Sequence, residues 1–286
     1  MKHAFRNLFI ASLVAALIPG CSKEGVCLES DGQILFNVDR AFEAQVKTKA
    51  TEVTTANLTG FYVTATTGTI GSNEAAAFSS VSFTGTPGGA YTGGKYWPSS
   101  DPGYHFFASS LPMTFSAGAC TVAATTATDV ICSYVEFPTY KANNTLTFSH
   151  ILGRVGTLSV SASDGYTVSG VTVKITPKVS GTYNLRTGAG HNDGTGWSGV
   201  AEGTEATLSS SDNQLYVVPG EYVLTFNYTL TKGDYVEAFT KTATISVLSG
   251  VTNNISCTLP SGRAQGITVS VLLTSWSSQD HEPTFS

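Results

Sequence analysis

The chain has 286 residues, of which 41% are hydrophobic and only 12% charged, with 15 Lys and Arg against 20 Asp and Glu. That much apolar material excludes a disordered chain, and the acidic balance excludes a nucleic-acid surface, which calls for a basic stripe. Thr, Ser, Gly and Val stand where charge is missing, a composition suited to pleated surfaces and tight turns.

Lys2 and Arg6 precede an apolar run from Leu8 to Ile18. The run is too short to span a bilayer core of ~30 Å. It stops at Ile18-Pro19-Gly20-Cys21, so residues 1–20 read as an export signal that ends at a cysteine rather than at an A-x-A type of site. Aliphatic-x-Gly-Cys resembles a bacterial lipobox. Cys21 is therefore expected to carry lipid and to tie the chain to a membrane surface. The competing reading is an ordinary cleaved signal with a chance cysteine. Residues 21–33 read as a lipidated tether.

Period-two alternation dominates from there on. Ile34, Phe36 and Val38 share one face of a strand at 33–38, and 58–65 reads as another. Further strands are expected at 146–148, 157–162, 171–175, 214–218, 222–230, 242–248 and 267–274. Turn chemistry separates them, as at Pro87-Gly88-Gly89, Pro219-Gly220 and Lys232-Gly233-Asp234. Short strands at this spacing predict an all-β protein of two tandem β-sandwich domains. The expected boundary lies at Tyr140–Asn144, giving domains at 34–143 and 144–286.

The chain has five cysteines. Cys120 and Cys132 flank a polar stretch and are expected to close a hairpin loop as a disulfide in an oxidising compartment; the alternative is two buried thiols. Whether Cys27 and Cys257 pair is left open. No G-x-S-x-G elbow, H-E-x-x-H or zinc-type Cys spacing occurs, so neither an enzyme nor a metal or other cofactor is expected. His105, His150, His191 and His281 are scattered, and His105 and His150 read as structural. The loop 188–197 lacks the third glycine of G-x-G-x-x-G, because Asp193 stands there. It reads as an exposed loop, or as a ligand-contacting one with Trp197 as platform. The aromatic cluster around Trp97 reads as core, or as a surface that stacks on sugar rings.

Several segments, taken in order, resemble the fimbrillin-like lipoproteins of Bacteroidetes, the subunits of type V pili. They are Thr48-Lys49-Ala50-Thr51, Lys95-Tyr96-Trp97-Pro98, His105-Phe106-Phe107-Ala108, the run Leu146–Val155, Leu215–Gly220 and the last strand ending at Trp276. The resemblance implies two transthyretin-like Greek-key sandwiches without enzymatic activity, on the outer membrane and in fimbriae. It also implies a protease cut after an arginine, for which Arg40-Ala41 is well placed, followed by donor-strand exchange with other pilin subunits. Only ten residues follow Trp276, so no long C-terminal donor extension is evident, and stalk, tip and anchor roles stay open. The second reading is a lipid-anchored protein that binds a host glycan or protein through Trp97 or Trp197.

Overall fold

The computed structural model describes residues 32–39, 58–124, 129–162, 165–260 and 266–275. Almost every ordered segment is a strand, as the alternation predicts. β1 (Gln33–Val38), β2 (Gly60–Thr67), β3 (Ala75–Thr84), β4 (Tyr91–Tyr96), β5 (His105–Ser109), β7 (Ile131–Val135), β8 (Asn144–Leu146) and β9 (Ser149–His150) form one eight-stranded sheet. Its order is β8-β1-β4-β3-β2-β5-β7-β9.

This sheet closes over its own apolar face. Three strands separate β1 from β5, yet the rings of Phe36 and Phe106 meet edge to face at 4.9 Å. The bend is visible where the β2–β3 register slips around Ala65. There Ser80 takes φ +49° and its N–H donates to Thr64 Oγ1 at 3.0 Å. Such bulges add twist and turn a strand from one layer into the next. Ile34, Phe36, Phe61, Phe83, Tyr91, Phe106 and Leu146 fill the enclosed core.

β6 (Ala119–Ala123) leaves that sheet and pairs instead with β12 (Lys178–Asn184), from Asn184↔Ala119 to Ser180↔Ala123. With β13 (Trp197–Glu202) they make a three-stranded sheet that joins the two parts of the chain. A junction core of Phe107, Cys120, Cys132, Leu152, Tyr183 and Tyr216 packs there. Strand pairing crosses residues 143/144 in both directions. β8 and β9 pair with β1 and β7 of the eight-stranded sheet, and β6 reaches across to the later strands. Loop position alone carries no information about which edge a strand will join.

Two four-stranded sheets enclose the remaining core. One runs β15 (Leu215–Val217), β10 (Gly153–Ala162), β18 (Val251–Leu259), β19 (Thr268–Ser275). The other runs β14 (Ala206–Leu208), β11 (Thr167–Ile175), β16 (Gly220–Lys232), β17 (Tyr235–Val247). β16 and β17 pair along their whole length and turn at Gly233-Asp234, where Gly233 supplies φ +58° for a two-residue hairpin loop. Tyr222, Leu224, Phe226, Tyr228 and Leu230 all point inward, as their alternation requires.

The two parts repeat one device that the sequence analysis missed. β1 and β10 each lie between an antiparallel neighbour (β4, β15) and a parallel one (β8, β18). Before each parallel neighbour, a buried asparagine latches a loop. Asn144 Oδ1 accepts from Thr139 N–H, while its Nδ2 donates to Thr139 O and Ala142 O. Asn253 Oδ1 accepts from Leu248 N–H, while its Nδ2 donates to Leu248 O and Val251 O. The residue three before each asparagine, Lys141 or Gly250, holds positive φ.

Candidate functional site

β1 is the first candidate. Its apolar alternation puts Ile34 and Phe36, both fully buried, into the aromatic core. Its backbone is paired on both sides, antiparallel to β4 and parallel to β8. The flanks are held too: Trp97 N–H donates to Gly32 O at 2.6 Å and Asp39 N–H to Leu146 O at 2.9 Å. Taking this strand away would expose the backbone groups of β4 and β8 on either side of an apolar slot. Arg40 and Ala41, the expected cut, lie outside the described residues, as does Cys21.

β19 is the second candidate. It occupies the edge of its sheet, paired with β18 from Thr258↔Thr268 to Val251↔Ser275. Ile267, Val269 and Val271 pack against the core beneath, while Leu272 and Leu273 are exposed. Among the described strands none pairs with its outer edge, whose backbone donors and acceptors form a template for another strand.

The fold brings Cys120 of β6 and Cys132 of β7 together in the junction core. Both are buried free thiols in hydrogen-bond contact. The Cys120 thiol, burial and the nearby Asp129 carboxylate together push the Cys132 thiol well above its ordinary range. Beside them Asp129 Oδ2 lies 2.8 Å from Nδ1 of His150, and both side chains are almost wholly buried. His150 is thus part of the packing, in keeping with its expected structural role. Cys257 is buried in the other core, where desolvation raises its thiol to about 11. Cys27 lies outside the described residues.

The two tryptophans expected as ligand contacts sit in different surroundings. Trp97 is 6% exposed and packed among Tyr104, Phe106 and Tyr140. Trp197 is half-buried with its ring 5.1 Å from that of Tyr183. Trp97 is thereby closed to a ligand, while Trp197, tilted at 42° against one ring, keeps part of its surface open. In the glycine-rich loop, Asp193 Oδ1 accepts from Thr195 N–H at 3.0 Å, and that bond holds its carboxyl below the usual range. Among the described residues, no His, Cys, Asp and Glu cluster is arranged to hold a metal.

The exposed aromatic surface lies elsewhere. Phe137 is 84% exposed and lines a cleft of about 430 Å³ with Asp101, Tyr104, His105 and Glu136. Three loops converge on it, those after β2, β4 and β7. His105 pins two of them, with Nδ1 2.6 Å from Glu136 O and Nε2 2.9 Å from Gly68 O. The sequence analysis correctly read His105 as a packed, hydrogen-bonded ring but passed over Phe137, whose Phe-Pro context was the available cue.

Multi-sheet architecture held by long-range strand pairing defines the class: an all-β protein of several packed sheets. The family model described as "Fimbrillin-like" matches residues 48–276. The chain belongs to the fimbrillin-like family. No curated protein matches it by sequence. Among solved structures it is similar to a candidate cell adhesion protein of Bacteroides eggerthii, at 11% identity and a TM-score of 0.50, covering 87% of this chain and 98% of that one. A candidate cell adhesion protein of Bacteroides ovatus matches at 14% identity and a TM-score of 0.44, with the same coverage. A fimbrial protein of B. ovatus matches at 13% identity and a TM-score of 0.32, over 80% of this chain and 48% of that one.

Proposed function

We propose that the chain is a structural subunit of a cell-surface fimbria, as stalk, tip or anchor, serving adhesion. It reaches the outer membrane through lipid on Cys21, loses β1 by cleavage after Arg40, and receives a strand of a neighbouring subunit in the vacated slot. The observation that carries this reading is the placement of β1. It is the first described strand, yet it sits inside the sheet with partners on both sides and two fully buried side chains. Its loss uncovers side chains worth ~1.5–3 kcal/mol each, and a donor strand recovers that burial together with the backbone pairing. β19 is the proposed donor. It lies at a sheet edge with Val269 and Val271 on its inward face and Leu272 exposed on the other, and to donate it must leave β18.

Limited trypsin cleavage of the purified precursor tests the reading. Cutting at Arg40 should yield oligomers or filaments by size-exclusion chromatography and electron microscopy. A stable cleaved monomer with its first core exposed to solvent would refute strand exchange. Cys21→Ala should shift the protein from the membrane fraction to the soluble one, or leave an unprocessed precursor.

The second reading, a ligand-binding surface protein, is favoured by one observation, the Phe137 cleft.

A further inference from the structure

We infer that the cleft beside Phe137 is a saccharide-binding site that takes a neutral pyranose ring, independently of whether the subunit assembles by strand exchange. The cleft volume of about 430 Å³ falls within the ~300–1,000 Å³ of small-ligand sites. An exposed phenyl ring at the rim suits the C–H face of a sugar, which is apolar, while the ring's hydroxyls need polar partners at the edge.

Those partners are acceptors. Asp101 and Glu136 are carboxylates, which accept only, and the cleft lining carries no Lys or Arg. An anionic ligand therefore finds no counter-charge. A cationic ligand is disfavoured at Glu136 for a different reason. Arg186 Nη2 lies 3.1 Å from Glu136 Oε1, so that carboxylate is already paired with a guanidinium. Asp101 Oδ1 accepts from Gly103 N–H at 2.9 Å, which leaves Oδ2 for a hydroxyl donor. Asp101 keeps its charge, so an ammonium competes with a hydroxyl for this oxygen, and a cationic probe separates the two.

The walls are also held in place before any ligand arrives. His105 ties Gly68 and Glu136 together, Tyr140 Oη donates to Pro98 O at 2.5 Å, and Pro102 and Pro138 stiffen two of the loops. A pre-ordered site avoids the entropy of arranging its loops on binding.

Saturation-transfer NMR on the full mature chain tests the inference. The probes are the methyl glycopyranosides of glucose, galactose, mannose and N-acetylglucosamine, with tetramethylammonium as the cationic comparison. At least one glycoside should show saturation transfer concentrated on the protons of one ring face. Phe137→Ala should weaken that binding about tenfold, or about 1.4 kcal/mol, and Asp101→Asn should weaken it several-fold, with melting temperature unchanged because both side chains are exposed. The inference is overturned if no glycoside gives a signal, if the signal survives undiminished in both variants, or if tetramethylammonium binds this site in preference.

Discussion

Phe36→Ala in the precursor should be among the most damaging single changes in the chain, and harmless once β1 is gone. The Phe36 ring has no solvent exposure and meets Phe106 at 4.9 Å, Phe83 at 5.1 Å and Phe61 at 6.3 Å. Removing a phenyl ring from so closed a core costs ~3–5 kcal/mol, transfer and cavity terms together. That is a large share of the ~5–15 kcal/mol by which a domain is stable. The assay is denaturant unfolding followed by tryptophan fluorescence, because Trp97 shares this core, with its ring 5.8 Å from that of Phe106. Phe137→Ala is the control, since a side chain that is 84% exposed should change stability by under ~0.5 kcal/mol. After trypsin cleavage at Arg40 and assembly, filaments built from the Phe36→Ala precursor should match wild type in stability, because the altered strand is no longer present. A precursor destabilised by less than ~1 kcal/mol would show that β1 does not carry the core packing assigned to it. Filaments that inherit the defect would show that β1 is retained.

Three further outcomes are expected. Although the two thiols are free in this structure, protein recovered from an oxidising compartment should carry a Cys120–Cys132 bond, seen as a mass two hydrogens lower and worth ~3 kcal/mol in the chain-entropy model; peptide mapping that finds Cys120 and Cys132 themselves alkylated after denaturation without reductant would refute it. Stability should decline at alkaline pH through Cys257. Its folded pKa of about 11 lies above the ordinary thiol value, so the protonated state favours folding, and that contribution is full below the ordinary thiol pKa and is lost as pH rises toward 11. Cys257→Ala should flatten this alkaline limb, and an unchanged limb would assign the loss to other groups. Asn253→Ala should cost ~2–4 kcal/mol in chemical denaturation, because it leaves the buried loop groups at Leu248 and Val251 without their partners; Asn144→Ala should do the same for the loop before β8, and a neutral effect at either site would show that water replaces the latch.

Strand-by-strand, legibility followed local pattern. Ile34–Val38 and Tyr222–Leu230 were readable because large apolar residues recur at every second position, with only Leu35 and Val223 apolar in between. β3 was not, since Ala75-Ala76-Ala77 has no marked face and Ser80 breaks the period with a bulge. β6 and β12 are short and mix Thr, Ser and Gly into their runs, so neither stands out alone. Trp97 and Trp197 were legible as aromatic residues in turn-rich segments, but exposure is a property of what packs on them, and that depends on Tyr104, Tyr140 and Tyr183.

By itself the sequence determined the class of structure: a β protein, because side-chain alternation is a local consequence of the pleat and needs no partner to be seen. It also placed the strand at 33–38 and the strand at 267–274, which became β1 and β19. Only the tertiary structure decided which strands pair, that β6 crosses to β12, that Cys120 and Cys132 meet at the junction, and that Phe137 rather than Trp97 faces solvent. The reason is that every strand presents the same backbone donors and acceptors. Partner choice therefore rests on the summed packing of distant side chains, which no single segment contains.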